Sequence, residues 1–152
     1  MLNNLQDEFI LSETKAAQLP PLTLAYIGDC IFDLYVRTKH VLGCSKNAGK
    51  LHSMSIRLVN AKAQSEFAHR WLERFTEQER EIFMRGRNAK SPSAPNNMSV
   101  ADYKYATAIE AVIGLSLIHI SPCWQCSLSA KAFAQRFWTR ISQAPRFPQC
   151  LA

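Results

Sequence analysis

The sequence predicts an all-α fold, and three observations carry the prediction. Only five glycines occur in 152 residues. No run alternates apolar and polar residues as a half-buried strand would. Where the chain is periodic, its apolar positions recur at three and four, the spacing of one helix face.

The elements follow in order. Residues 1–18 read as a polar lead-in with one helical turn. Pro20-Pro21 opens a helix, because proline suits the first turn. That helix is expected to run to about Val41 and to stop at Gly43 as its C-terminal glycine. A second helical stretch covers about Lys46 to Phe75, where Leu51, Met54, Leu58, Ala61, Ser65 and Ala68 share a face; it is one bent helix or two. "TEQE", Thr76 to Glu79, has the form of a capping box and opens a short helix to about Arg87. Residues 85–97, "RGRNAKSPSAPNN", become a loop at least in their second half. Ser99, with Asp102 three residues on, opens the helix that carries "DYKYATAIEAVIG".

The formal net charge is +6, and 47% of the residues are hydrophobic, enough for one domain with a real core. The positive balance favours an acidic partner, nucleic acid being the commonest. No apolar run approaches the roughly 20 residues of a spanning helix. The start, "MLNNLQDEF", lacks the basic and apolar regions of a signal peptide, so the five cysteines are expected as reduced thiols in the cytoplasm.

Two acids lie on apolar helical runs. Asp29 sits among Ala25, Tyr26, Ile27, Cys30 and Ile31, and Glu110 among Ala106, Ala108, Ile109, Ala111, Val112 and Ile113. An acid in such a setting is either on a solvated stripe or pointed at something positive. If the two converged across a helix contact they would repel unless a cation lay between them. Oxygen ligands without histidine suit Mg²⁺ or Mn²⁺ rather than zinc. "RGRNAK" puts Arg85, Arg87 and Lys90 beside Gly86 and Asn88 at a helix-to-loop boundary. Arginine forks match phosphate, and Gly86 would let backbone approach a ligand. A solvated basic loop is the plainer alternative. His52 reads as a helix-surface histidine, and Asp33, one turn after Asp29, as a helix-surface acid or the holder of a water.

Taken together, "LAYIGDCIFDLYV", "RGRNAKS" and "YKYATAIEAVIG" resemble the ribonuclease III catalytic domain. More closely they resemble the bacterial Mini-III ribonucleases, which carry that domain without a double-stranded-RNA-binding domain. The likeness spans about Leu19 to Gly114. It implies an all-helical, homodimeric endonuclease of double-stranded RNA. Such an enzyme depends on Mg²⁺, with Mn²⁺ as a substitute, leaves 5′-phosphate and 3′-hydroxyl ends, and matures the large-subunit ribosomal RNA precursor. By motif match Asp29 and Glu110 stand where the catalytic, metal-binding acids belong. Arg85, Arg87, Asn88 and Lys90 stand in the RNA-contacting loop, and Lys62 at a further RNA-facing position.

The chain departs from the larger ribonuclease III pattern at two acidic positions, which are Ala25 and Thr107 here. Neutral residues are usual there in the Mini-III branch, and they imply more waters on the metal. The alternative they leave open is a catalytically silent double-stranded-RNA-binding dimer on the same fold.

All 12 Asp and Glu residues lie at or before Glu110. Beyond Gly114 the likeness ends, and Pro122 is expected to break the helix. Residues 115–152 read as foreign to the domain, of the kind a frameshift or a chimeric join gives. "CWQC", Cys123 to Cys126, has redox or metal spacing but no second pair and no strand–helix setting, so it is read as inert.

Overall fold

The computed structural model describes residues 13–90 and 99–120, and the side-chain surroundings of 15–90 and 99–116. Residues 121–152, with Pro122 and the Cys123–Cys126 motif, lie outside them.

The described residues form six α-helices: α1 (Glu13–Gln18), α2 (Pro21–Gly43), α3 (Ala48–Val59), α4 (Ala61–Trp71), α5 (Glu77–Asn88) and α6 (Val100–Ile120), with a 3₁₀ turn at Leu72–Arg74 after α4. No strand occurs among the described residues. Leu19–Gly114 forms one compact unit; α1 and, among the described residues after Gly114, Leu115–Ile120 belong to another.

Local chemistry places the helix ends. Pro20 precedes α2, and its carbonyl accepts from the Thr23 and Leu24 amides at 3.0 and 3.1 Å. Gly43 is the last helical residue of α2, but it does not turn left-handed as a C-terminal glycine commonly does: no described residue has a positive φ. Extended Cys44 closes the helix instead, its amide donating to the His40 carbonyl at 3.0 Å.

Asn60 resolves the stretch expected as one bent helix or two. Its side-chain oxygen accepts from Ala63 N at 3.0 Å, which starts α4. Its amide nitrogen donates to the Ile56 and Arg57 carbonyls at 3.0 and 2.8 Å, which finishes α3. One side chain satisfies orphan groups of two helix ends, so the break is built in. Thr76 and Glu79 form the expected capping box, with bonds of 2.8 and 3.2 Å.

The core lies around α6. Residues Ala106–Ile109 and Ala111–Ile113 are all buried, so this helix is covered on nearly every side. Leu24, Phe32 and Val36 of α2, Ala68 and Trp71 of α4, and Ile82 and Phe83 of α5 complete the apolar interior. Phe83 is fully buried and packs its ring against Phe75 and Tyr105 at centroid distances of 5.6 and 5.7 Å. A truncation such as Phe83→Ala costs about 3–5 kcal/mol in such a setting. A buried polar link joins α2 to α3: His40 Nδ1 lies 3.0 Å from Ser55 Oγ, which donates to the Leu51 carbonyl at 2.9 Å.

Candidate active site

Two glycines set the geometry. A Cβ on Gly28 of α2 would lie 2.7 Å from the Glu110 carbonyl carbon and 2.9 Å from the Gly114 nitrogen, and would collide with the Glu110 oxygen. A Cβ on Gly114 of α6 would lie 2.8 Å from the Leu24 carbonyl carbon. The two helices therefore cross with backbone against backbone, closer than side chains normally allow.

That crossing brings the two acids together. Asp29, the residue after Gly28, is exposed, whereas Glu110 is largely covered. Their carboxyls are within hydrogen-bonding reach of each other. Burial, and next the Asp29 charge, push the Glu110 carboxyl up from 4.5 to about 8. Burial, and next the Asp33 charge, raise Asp29, while the contact with Glu110 opposes the rise. Near neutrality the pair thus holds a proton, and it resides on Glu110, the deeper group. A divalent cation between the carboxylates would replace that proton and remove the repulsion, so this donor set fits a hard metal ion. Among the described residues no group of three or more His, Cys, Asp and Glu gathers, and any cation here would keep much of its water.

Gln64 was not legible as part of the site. It lies on α4 at 2% exposure, with neither amide atom in hydrogen-bond geometry. Yet its amide approaches Glu110 closely enough to favour the charged carboxylate. The available signal was a polar residue on an inward stripe, three after Ala61 and four before Ala68. Ala25 and Thr107, the neutral positions, are buried at 5% and 7% exposure. Asp33 is tied to Arg37, with Nε to Oδ2 at 2.7 Å, while its Oδ1 is buried without a partner. His52 is exposed, with Nδ1 3.4 Å from Arg37.

The basic residues gather at the end of α5. Arg85, Arg87 and Asn88 occupy its last turn, where cations complement the helix dipole, and exposed Lys90 follows. Gly86 has a different task from the ligand approach expected of it. It is buried against α6, where an added Cβ would lie 2.9 Å from Ala108 Cα and 3.3 Å from Ala111 Cβ. The glycine seats the basic turn on the helix that carries Glu110. Arg85 donates to the Leu19 carbonyl at 3.0 Å. Arg87 lies over the Tyr105 ring, 5.9 Å from its centroid, and Tyr105 in turn stacks on His69 at 4.1 Å. Lys62 is exposed on α4, two residues before Gln64.

A family model described as the ribonuclease III domain matches residues 22–120. The matched span holds both glycines of the crossing and both acids, and the class is an all-helical endoribonuclease. It also runs six residues past Gly114, as α6 does, beyond the point where the motif likeness stops. The chain is 39% identical over 114 residues to the Mini-ribonuclease 3 of Thermoanaerobacter sp. (strain X514), covering 75% of this chain and 80% of that protein. It is 48% identical over 98 residues to the Mini-ribonuclease 3 of Staphylococcus aureus, covering 63% and 73% respectively. A crystal structure of a Fusobacterium nucleatum protein superposes with a TM-score of 0.67 at 26% identity, over 82% of this chain and 92% of that one. The chain belongs to the ribonuclease III family, on its Mini-ribonuclease 3 branch.

Proposed function

We propose that this endoribonuclease cuts double-stranded RNA as a symmetric homodimer, with a divalent cation held between Asp29 and Glu110. The observation that carries the reading is the Gly28–Gly114 crossing, which turns two acids 81 positions apart into one carboxylate pair. Both donors are carboxylate oxygens, the chemistry of Mg²⁺ with Mn²⁺ as a substitute. When bound, such an ion supplies positive charge against a phosphate and a more acidic water.

The chain's own residues do the rest. Asp29, exposed, presents the pair to a strand, and Glu110 gives up its proton as the site loads. The attacking water oxygen bonds to phosphorus as the bond to the 3′-oxygen breaks. The water's proton goes to that leaving oxygen, which leaves a 5′-phosphate and a 3′-hydroxyl. Arg85, Arg87, Asn88 and Lys90 neutralise backbone phosphates beside the cut, with Lys62 a further contact, and read duplex shape rather than bases.

Support for the dimer comes from α2. Tyr26, Leu34 and Val41 are 76%, 63% and 62% exposed and recur at eight and seven residues along one face. An apolar stripe of this kind, next to Asp29, suits a two-fold contact that sets two sites on opposite strands. The substrate we favour is the large-subunit ribosomal RNA precursor, which the motif likeness implies. The cytoplasm is the place we favour, in keeping with Cys30 and Cys44 as free thiols; no described helix is long and apolar enough to cross a membrane. Residues 19–114 would be the catalytic domain, 1–18 a lead-in and 115–152 an appended tail.

The test is cleavage of a long RNA duplex with Mg²⁺, comparing this chain with Asp29→Asn. Cutting to 5′-phosphate ends by the parent and none by the variant supports the reading. Binding without cutting by both leaves the silent RNA-binding dimer suggested by Ala25 and Thr107.

A further inference from the structure

We infer that Gln64 is a positioning residue of the carboxylate site, orienting the Glu110 carboxyl toward Asp29 where positions 25 and 107 supply no acids; this rests on the metal reading above.

The argument begins with an anomaly. Gln64 is 2% exposed, and both its Nε2 and its Oε1 are buried without a hydrogen-bond partner among the described residues. Buried amides are almost always satisfied, and an orphaned one calls for an explanation. A leucine of similar volume would fill the same space without that penalty. Packing alone therefore does not account for a glutamine here.

Its surroundings do. Asn60 caps α4 and so fixes the register that turns Gln64 inward. On that inward side the amide approaches the Glu110 carboxyl, and the approach favours the charged carboxylate. Gln64 Nε2 is a donor suited to a carboxyl oxygen, and an amide fixed on a buried helix face can hold that carboxyl in one orientation. Gln64 Oε1 would be a neutral acceptor for a water of a hydrated cation. Positions 25 and 107, where the larger enzymes carry acids, hold a buried alanine and a buried threonine. A cation here has few direct ligands, so groups around the ligands decide how tightly it is held.

The experiment measures Mn²⁺ affinity without RNA, by the free-ion electron spin resonance signal, for the parent, Asp29→Asn and Gln64→Leu. Helix content and thermal midpoint are recorded without metal. Gln64→Leu is expected to keep the helix content and a midpoint at or above the parent's, and to bind Mn²⁺ about tenfold or more weakly. Gln64→Asn, which keeps the amide and shortens its reach, is expected to weaken binding likewise, and it serves if the leucine variant does not fold. Gln64 variants that bind within about threefold of the parent, while Asp29→Asn does not bind, overturn the role of Gln64 and leave the metal reading standing. A parent that binds no better than Asp29→Asn overturns both.

Discussion

Gly28 and Glu110 meet backbone to backbone, and the Asp29 carboxyl faces the Glu110 carboxyl because of that contact. Any side chain at position 28 must push α2 and α6 apart. Gly28→Ala is expected to destabilise the protein by about 1–3 kcal/mol or more, since the clash is with backbone that has no rotamer to change. Cleavage should be lost along with it. Urea unfolding and a duplex-cutting assay check both, and parental stability in Gly28→Ala would sink the argument.

The raised Glu110 carboxyl sets a pH dependence. Its value of about 8 exceeds the ordinary 4.5, so the native state keeps a proton that the unfolded chain releases. Without metal, stability therefore falls as pH rises from about 4.5 to about 8. Divalent cation affinity climbs over the same range as the proton becomes easier to displace. Glu110→Gln should flatten the stability slope and exceed the parent's urea midpoint at the upper end. Equal slopes in the two proteins would refute the assignment of the proton to Glu110.

Arg85 and Arg87 should separate in their effects. Arg87 rests on the Tyr105 ring at the surface of the basic turn, so Arg87→Ala is expected to weaken duplex binding and lower the salt slope by about one per site. The fold should be unaffected. Arg85 donates to the Leu19 carbonyl, so Arg85→Ala is expected to cost about 1 kcal/mol of stability as well as binding. Binding titrations at several salt concentrations, alongside thermal melts, distinguish the two.

Asn60 serves two helices at once. Asn60→Ala removes the α4 cap and both bonds to the end of α3, and a loss of about 1–2 kcal/mol is expected in urea unfolding. A loss of a few tenths would mean that solvent satisfies those groups as well as the side chain does.

The apolar face of α2 predicts association. Leu34→Asp places a charge on the exposed stripe with Tyr26 and Val41, and monomers with parental helix content are expected in sedimentation equilibrium. A variant that stays dimeric would move the contact to another surface.

Much of this protein was determined locally and could be read from the chain. Pro20-Pro21, the Thr76–Glu79 box and the three-and-four spacing specify helices because caps and amphipathic faces act within one or two turns. Asp29, Glu110 and the "RGRNAK" turn stood out for the same reason: each is a polar group in an apolar or structured setting. The pairing of the two acids was decided only by the fold. It depends on Gly28 and Gly114, whose lack of a side chain has no local signature and acts only where two distant backbones meet. Gly86 likewise looked like room for a ligand and proved to be room for α6. Gln64 is inconspicuous in sequence because glutamine suits any helix surface; burial beside Glu110 gives it meaning. Periodicity and caps are short-range and survive in the one-dimensional pattern, whereas close approach and the loss of water are properties of the folded chain.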